Sequence, residues 1–269
     1  MLGKPHERVN FPAHKTHGPH SSRTLTDVRL HGRGTVHRLI LFDIDGTLLS
    51  TDGHAGKAIA RAISETLGVA ITPAGYSFAG KTDPFIVNEL AARAGLSRAA
   101  VAPHMSEIFA RYCGHLRDTL NDANTRALPG VRELLAVLAK REDATIGLLT
   151  GNIRAGALIK LEVVRLAGHF RFGAFGSDEE DRNRLVPVAR KCAKAHSGEE
   201  FPGACTVVVG DATADIQCAR FGAARAVAVA SGGTPRQDLM ALAPDALLES
   251  LRPDEALPAL FAGGPVTTK

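Results

Sequence analysis

Long apolar runs are missing from this chain of 269 residues, and none approaches the roughly 18–20 residues that a membrane-spanning helix needs. The N-terminal stretch likewise lacks the apolar core of a secretory signal, so a cytoplasmic location with no membrane partner is expected. Cysteine is scarce, and no pair among Cys113, Cys192, Cys205 and Cys218 has the C-x-x-C spacing of a zinc site. These four read as small buried thiols. An even spread of positive charge is missing too, although the pI is about 9.0. Residues 1–38 carry Lys4, Arg8, Lys15, Arg23, Arg29, Arg33 and Arg38 against Glu7 and Asp27, a net of +5 in a chain whose total is +4. The rest is therefore close to neutral, and no nucleic-acid partner is expected.

What is present suits a globular α/β protein: 45% hydrophobic and 22% charged residues, on a chain long enough for a sizeable core. Residues 1–36 stand apart. They hold His6, His14, His17, His20 and His31 with almost no apolar periodicity, and read as a disordered basic tail. A metal-binding His-x-x-His-x-x-His stretch, an organellar transit peptide and a dispensable extension are open readings of it.

After residue 38 strands and helices alternate. Apolar, β-branched-rich runs at 39–43, 145–150, 205–210 and 226–230, with a weaker one at 245–249, are separated by helical stretches at about 130–141, 153–167, 184–197 and 213–222. Such continuous apolar strands predict a parallel sheet covered by helices on both faces, with its ligand outside the strands' carboxyl ends. The interval between the first two strands is too long for a crossover and reads as helical at roughly 54–68, 84–95 and 98–121. It predicts an inserted helical domain over residues 52–125, with 37–51 and 126–269 forming the core.

Three strands end in polar residues. The first closes on Asp43-Ile44-Asp45-Gly46-Thr47, the second on Thr150-Gly151-Asn152, and the third on Gly210-Asp211 with Asp215 close behind. A parallel sheet brings all three ends to one edge. Carboxylates that close repel one another unless a hard cation joins them, and Mg²⁺ suits an all-oxygen site.

D-I-D-G-T-L-L, L-L-T-G-N and V-V-V-G-D-A-T-A-D, in that order after strands, resemble the motifs of the haloacid dehalogenase superfamily of phosphohydrolases. The place of the insertion resembles the helical-cap branch that holds phosphoglycolate phosphatases and β-phosphoglucomutases. The resemblance implies a Rossmann-like sheet and a Mg²⁺-dependent phosphatase acting on a small phosphorylated metabolite, phosphoglycolate-like or a sugar phosphate, through a phosphoaspartate. By the same resemblance Asp43 is the nucleophile and Asp45 the general acid and base. Thr150 hydrogen-bonds the phosphoryl group, with Gly46, Gly151 and Asn152 nearby. Asp211 and Asp215 hold the cation, joined by Asp43 and the backbone carbonyl of Asp45.

The superfamily's third motif, a Lys-Pro pair, has no counterpart here. In SDEEDRNRLVPVARK the candidates for its positive charge are Arg182 first, then Arg184, then Lys191, against a reading of both arginines as surface partners of Glu179, Glu180 and Asp181. In the inserted segment, Lys81 and Thr82 of G-K-T-D-P resemble a specificity loop in which Lys81 meets an anionic substrate group. Thr82 or Asp83 capping the helix that starts at Pro84 accounts for the same residues. Gly53-His-Ala-Gly-Lys-Ala lacks phosphate-loop spacing. Ser231-Gly-Gly-Thr reads as a turn at the site's edge, and His104 and His115 as helix-surface residues.

A phosphosugar mutase is the nearest rival, because it keeps both aspartates. A phosphoaspartate signalling module and a non-catalytic binding protein using the basic tail are rivals of other classes.

Overall fold

A computed structural model describes residues 36–263. The tail reading, the three histidines 14, 17 and 20 included, lies outside these residues apart from Val36. The described elements, in chain order, are β1 (Arg38–Phe42), β2 (Leu49–Ser50), α1 (His54–Leu67), α2 (Asp83–Arg93), α3 (Arg98–Val101), α4 (Met105–Thr119), β3 (Arg126–Ala127), α5 (Val131–Leu138), β4 (Ala144–Thr150), α6 (Arg154–Val163), β5 (Gly173–Phe175), α7 (Leu185–Ser197), β6 (Thr206–Gly210), α8 (Thr213–Phe221), β7 (Arg225–Val229), α9 (Arg236–Ala241), β8 (Ala246–Leu248) and α10 (Pro253–Phe261).

Six strands form one parallel sheet in the order β5-β4-β1-β6-β7-β8. The central strands β1 (RLILF) and β6 (TVVVG) are buried throughout, as apolar strands covered on both faces must be. Successive side chains of β1 point to opposite faces. Ile40 and Phe42 join Leu134, Leu135, Leu161 and Leu260 on one side, and Leu39 and Leu41 join Ala189, Ala193, Ile216 and Leu239 on the other. The sheet and both helical layers match the Rossmann-like expectation.

Four helices lie between β2 and β3, which pair antiparallel through Leu49–Ala127 and Ser50–Arg126 where the chain leaves and returns. In α1, Ala55, Ile59, Ala62 and Ile63 recur at helical spacing and pack with Val87, Ile108, Tyr112 and Leu116. Helix α6 belongs to both cores. Its Ala157 and Leu161 face the sheet cluster, while Ile159 joins the helical one.

The sequence boundaries shift in places with physical cause. The helix expected over 98–121 breaks into α3, a tight turn at Ala102–His104 and α4, because Pro103 lacks a donor there. Helix α6 stops at Val163, short of residue 167, and Arg165 takes a left-handed φ of 56°. Strand β5 went unpredicted, since three residues at a sheet edge leave no periodicity to read. Among the cysteines only Cys113 and Cys218 are buried, with Cys192 and Cys205 half-buried. His115 lies half-buried on the outer side of α4 and reaches Glu65 of α1 at 2.8 Å. No described helix is long and apolar enough to cross a membrane.

Candidate active site

Strand register brings the motifs together. Phe42 is level with Leu148 of β4 and Val209 of β6, so Asp43, Thr150 and Asp211 follow at the carboxyl ends of three adjacent strands. Asp215 stands one turn into α8, where its carboxylate accepts from the Ala212 amide at 3.0 Å. One carboxylate oxygen from each of Asp43, Asp211 and Asp215 falls within a 4.8 Å cluster, and all three residues are buried.

That cluster is electrostatically unsatisfied. Burial, then the neighbouring Asp215 and Asp43, raises Asp211 to about 8 against the 3.8 of a free aspartate. Burial also raises Asp43 to about 6, with Arg182 opposing the rise and Asp215 and Asp45 adding to it. Arg182 is the local countercharge. Its guanidinium donates to Asp215 and stands 3.2 Å from Asp43 Oδ1. It does not donate to that oxygen, which is buried without a hydrogen-bond partner. Three buried carboxylates against a single arginine, with one Asp43 oxygen left without a hydrogen-bond partner, fit a hard divalent cation.

Local chain chemistry builds the cradle. Gly46 has φ 79°, which a side chain would strain, and a Cβ there would collide with the Asp211 carboxylate. The Thr47 hydroxyl donates to Asp211 Oδ1 at 3.0 Å, and Ser231 Oγ donates to the Gly46 carbonyl at 2.8 Å. The turn at Ser231 thus does lie at the edge of the site.

Asp45 faces away from the three-acid cluster and towards α6. Lys160 Nζ lies 2.9 and 2.8 Å from its two carboxylate oxygens. Asn152 Nδ2 donates to Asp45 Oδ2 at 2.7 Å and to Thr150 Oγ1 at 2.8 Å. The side chain of Asp45 is therefore not part of the metal cluster; the backbone carbonyl expectation is separate from it.

The third-motif candidates separate clearly. Arg182 is buried among the acids, whereas Arg184 is exposed and lies 3.8 Å from Asp181, and Lys191 is exposed. Lys81 and Thr82 are not brought to the acids by their side chains. Lys81 pairs with Glu89 at 2.6 Å, which Tyr76 also contacts at 2.7 Å. Thr82 caps α2 through the Phe85 amide and donates to the Glu180 carbonyl at 2.7 Å. The backbone of this loop does reach the site's rim, since a Cβ on Gly151 would strike the Lys81 carbonyl. Asp83, buried beside it, donates its amide to the Gly151 carbonyl and accepts from Ile153 N, both at 2.7 Å. Burial raises Asp83 to about 6, with Lys160 opposing.

Sequence reasoning passed over Lys160, read Asp83 only as a helix cap and gave the Thr47 hydroxyl no partner. For Lys160 a signal existed: with Gly156, Ala157 and Leu161 it falls on the buried stripe of α6, where a lysine is out of place.

A family model described as haloacid dehalogenase-like hydrolase matches residues 40–229. The phosphoglycolate phosphatase of Synechococcus elongatus is 29% identical over 82% of this chain and 96% of its own length. The plasmid-encoded phosphoglycolate phosphatase of Cupriavidus necator is also 29% identical, over 82% of this chain and 92% of its own. Among solved structures, CbbY of Rhodobacter sphaeroides in complex with phosphate superposes with a TM-score of 0.63 at 19% identity, covering 84% of this chain and 99% of that one.

Proposed function

Because this chain belongs to the haloacid dehalogenase-like hydrolases, we propose that it is a Mg²⁺-dependent phosphatase of a small phosphorylated metabolite, phosphoglycolate-like or a sugar phosphate. The carrying observation is the buried trio of Asp43, Asp211 and Asp215 at the sheet's carboxyl edge, with Asp45 held separately beside it. The names of the curated relatives point to the same reaction class.

The chemistry divides between the first two aspartates. An Asp43 oxygen attacks phosphorus, the phosphorus–oxygen bond to the alcohol breaks, and the departing oxygen takes a proton from Asp45. Water then attacks the phosphoaspartate, its proton goes to Asp45, and the bond to Asp43 breaks. Phosphate leaves and both aspartates return to their starting state. Thr150, fully buried, offers its hydroxyl to a phosphoryl oxygen, with Gly151 and Asn152 next in the chain, whereas the Gly46 amide already donates to the Leu49 carbonyl at 2.8 Å. Arg182 tempers the charge around the nucleophile. Asp43, Asp211, Asp215 and the Asp45 carbonyl would hold Mg²⁺, which when bound cancels repulsion between Asp43 and a phosphate dianion.

Residues 52–125 act as a cap in this reading, and the loop at 80–83 closes the site's mouth against Gly151. Lys81, already paired with Glu89, lends the mouth positive charge only if an anionic group displaces that partner.

Phosphate release from a panel of phosphorylated metabolites, 2-phosphoglycolate and sugar phosphates included, tests the proposal. Mg²⁺-dependent release that EDTA stops is expected. An isomerised sugar phosphate in place of released phosphate would move the reading to a mutase, and no turnover of any phosphoester would overturn it.

A further inference from the structure

The α6 run AGALIKLEV places one lysine among apolar residues, and Lys160 is only 3% exposed. An ammonium taken out of water costs several kcal/mol after relaxation, and a packed aliphatic residue there would be no less stabilising. Stability alone does not account for it.

Its three protons meet three acceptors: Asp45 Oδ1 at 2.9 Å, Asp45 Oδ2 at 2.8 Å and Asn152 Oδ1 at 2.5 Å. Asn152 closes the ring by donating Nδ2 to Asp45 Oδ2. Because the ammonium can only donate, the orientation of the Asn152 amide follows. The Asn152 backbone is itself gripped from both sides, since Asp83 binds the Gly151 carbonyl and the Ile153 amide. Asp45 is the exposed member, with 40% of its side chain accessible. The arrangement anchors one carboxylate at the mouth of the site against a buried, immobile base.

We propose that Lys160 is the positioning residue for Asp45, fixing both its carboxylate oxygens so that the proton transfers of each half-reaction occur from one geometry. This rests on the reading of Asp45 as the proton carrier. Lys160 touches neither the substrate nor the metal cluster in this scheme and acts only through Asp45.

Lys160→Met keeps an unbranched side chain, one atom shorter, on the buried stripe of α6. With the best alkyl phosphate of the panel, whose alcohol must be protonated to leave, kcat falls at least about tenfold while KM stays within about threefold. With p-nitrophenyl phosphate, whose phenolate leaves without a proton, the first-turnover release of p-nitrophenol stays within about threefold of wild type. In an Asp45→Asn background, Lys160→Met lowers kcat no further, and it raises Tm because a partly unpaired buried ammonium has gone.

An unchanged alkyl-phosphate kcat would overturn the proposal. So would equal losses on the two substrates, or a loss that adds to that of Asp45→Asn. Asp43→Asn in the same assay keeps the outcomes apart. Its retained activity would overturn the phosphoaspartate reading, whatever Lys160→Met does.

Discussion

The guanidinium of Arg182 stands 3.2 Å from Oδ1 of Asp43 and yet donates its hydrogen bond to Asp215. One cation serves three buried acids, so removing it leaves like charges facing each other. Arg182→Ala should lower turnover roughly 10²–10³-fold, by the scale of a lost charge stabiliser. It should also cost about 3–5 kcal/mol of stability in urea titrations without divalent cation. Arg184→Ala and Lys191→Ala, both exposed, should change kcat less than about twofold.

The raised acids also give the stability curve a sign. Asp211 at about 8 and Asp43 at about 6, joined by Asp83 at about 6, hold more protons folded than unfolded. Stability therefore falls as pH rises from 5 to 8. His169, lowered by burial, opposes this only below its ordinary 6.5. Scanning fluorimetry in EDTA should show Tm dropping across that window. Added Mg²⁺ should restore it, more at pH 8 than at pH 5.5, where protons compete for the same oxygens. A flat, Mg²⁺-independent Tm would contradict the cation site.

Gly46 and Gly53 form a matched pair, with φ 79° and 80°, but only Gly46 backs onto Asp211, while Gly53 faces open space. Alanine at either position should cost about 1–2 kcal/mol of backbone strain. Gly46→Ala should in addition lower kcat at least about tenfold, some 1.4 kcal/mol in the barrier, by pushing Asp211 aside. Equal kinetics in the two variants would show that the cradle does not matter.

The sheet and its acids were legible because apolar β-branched runs ending in aspartate leave few other folds open. Asp43, Thr150 and Asp211 needed only strand register to meet. Arg182 stood first of three cations in sequence, but only burial, a tertiary property, separates it from a surface arginine. Lys160 gave a local sign, a lysine on the apolar stripe of α6, but nothing local named its partner. Its partner Asp45 lies 115 residues away, and no local pattern reports a contact of that span. Lys81 shows the converse, because a plausible anion contact is occupied by Glu89 eight residues on.

The close approach of Gly151 to the Lys81 carbonyl predicts a phenotype for the 80–83 loop. Gly151→Ala should loosen the 80–83 loop, raising KM roughly fivefold, about 1 kcal/mol. Amide exchange at residues 80–83, followed by mass spectrometry, should speed up in the same variant. Unchanged exchange would mean that the loop docks by other contacts.

Asp43→Asn tests the central claim most directly. The substitution removes one charge from a repelling buried trio, so Tm without cation should hold or rise. Phosphate release under Mg²⁺ should drop to background across the whole metabolite panel. A folded Asp43→Asn protein that still turns over substrate at a substantial fraction of the wild-type rate would contradict the account.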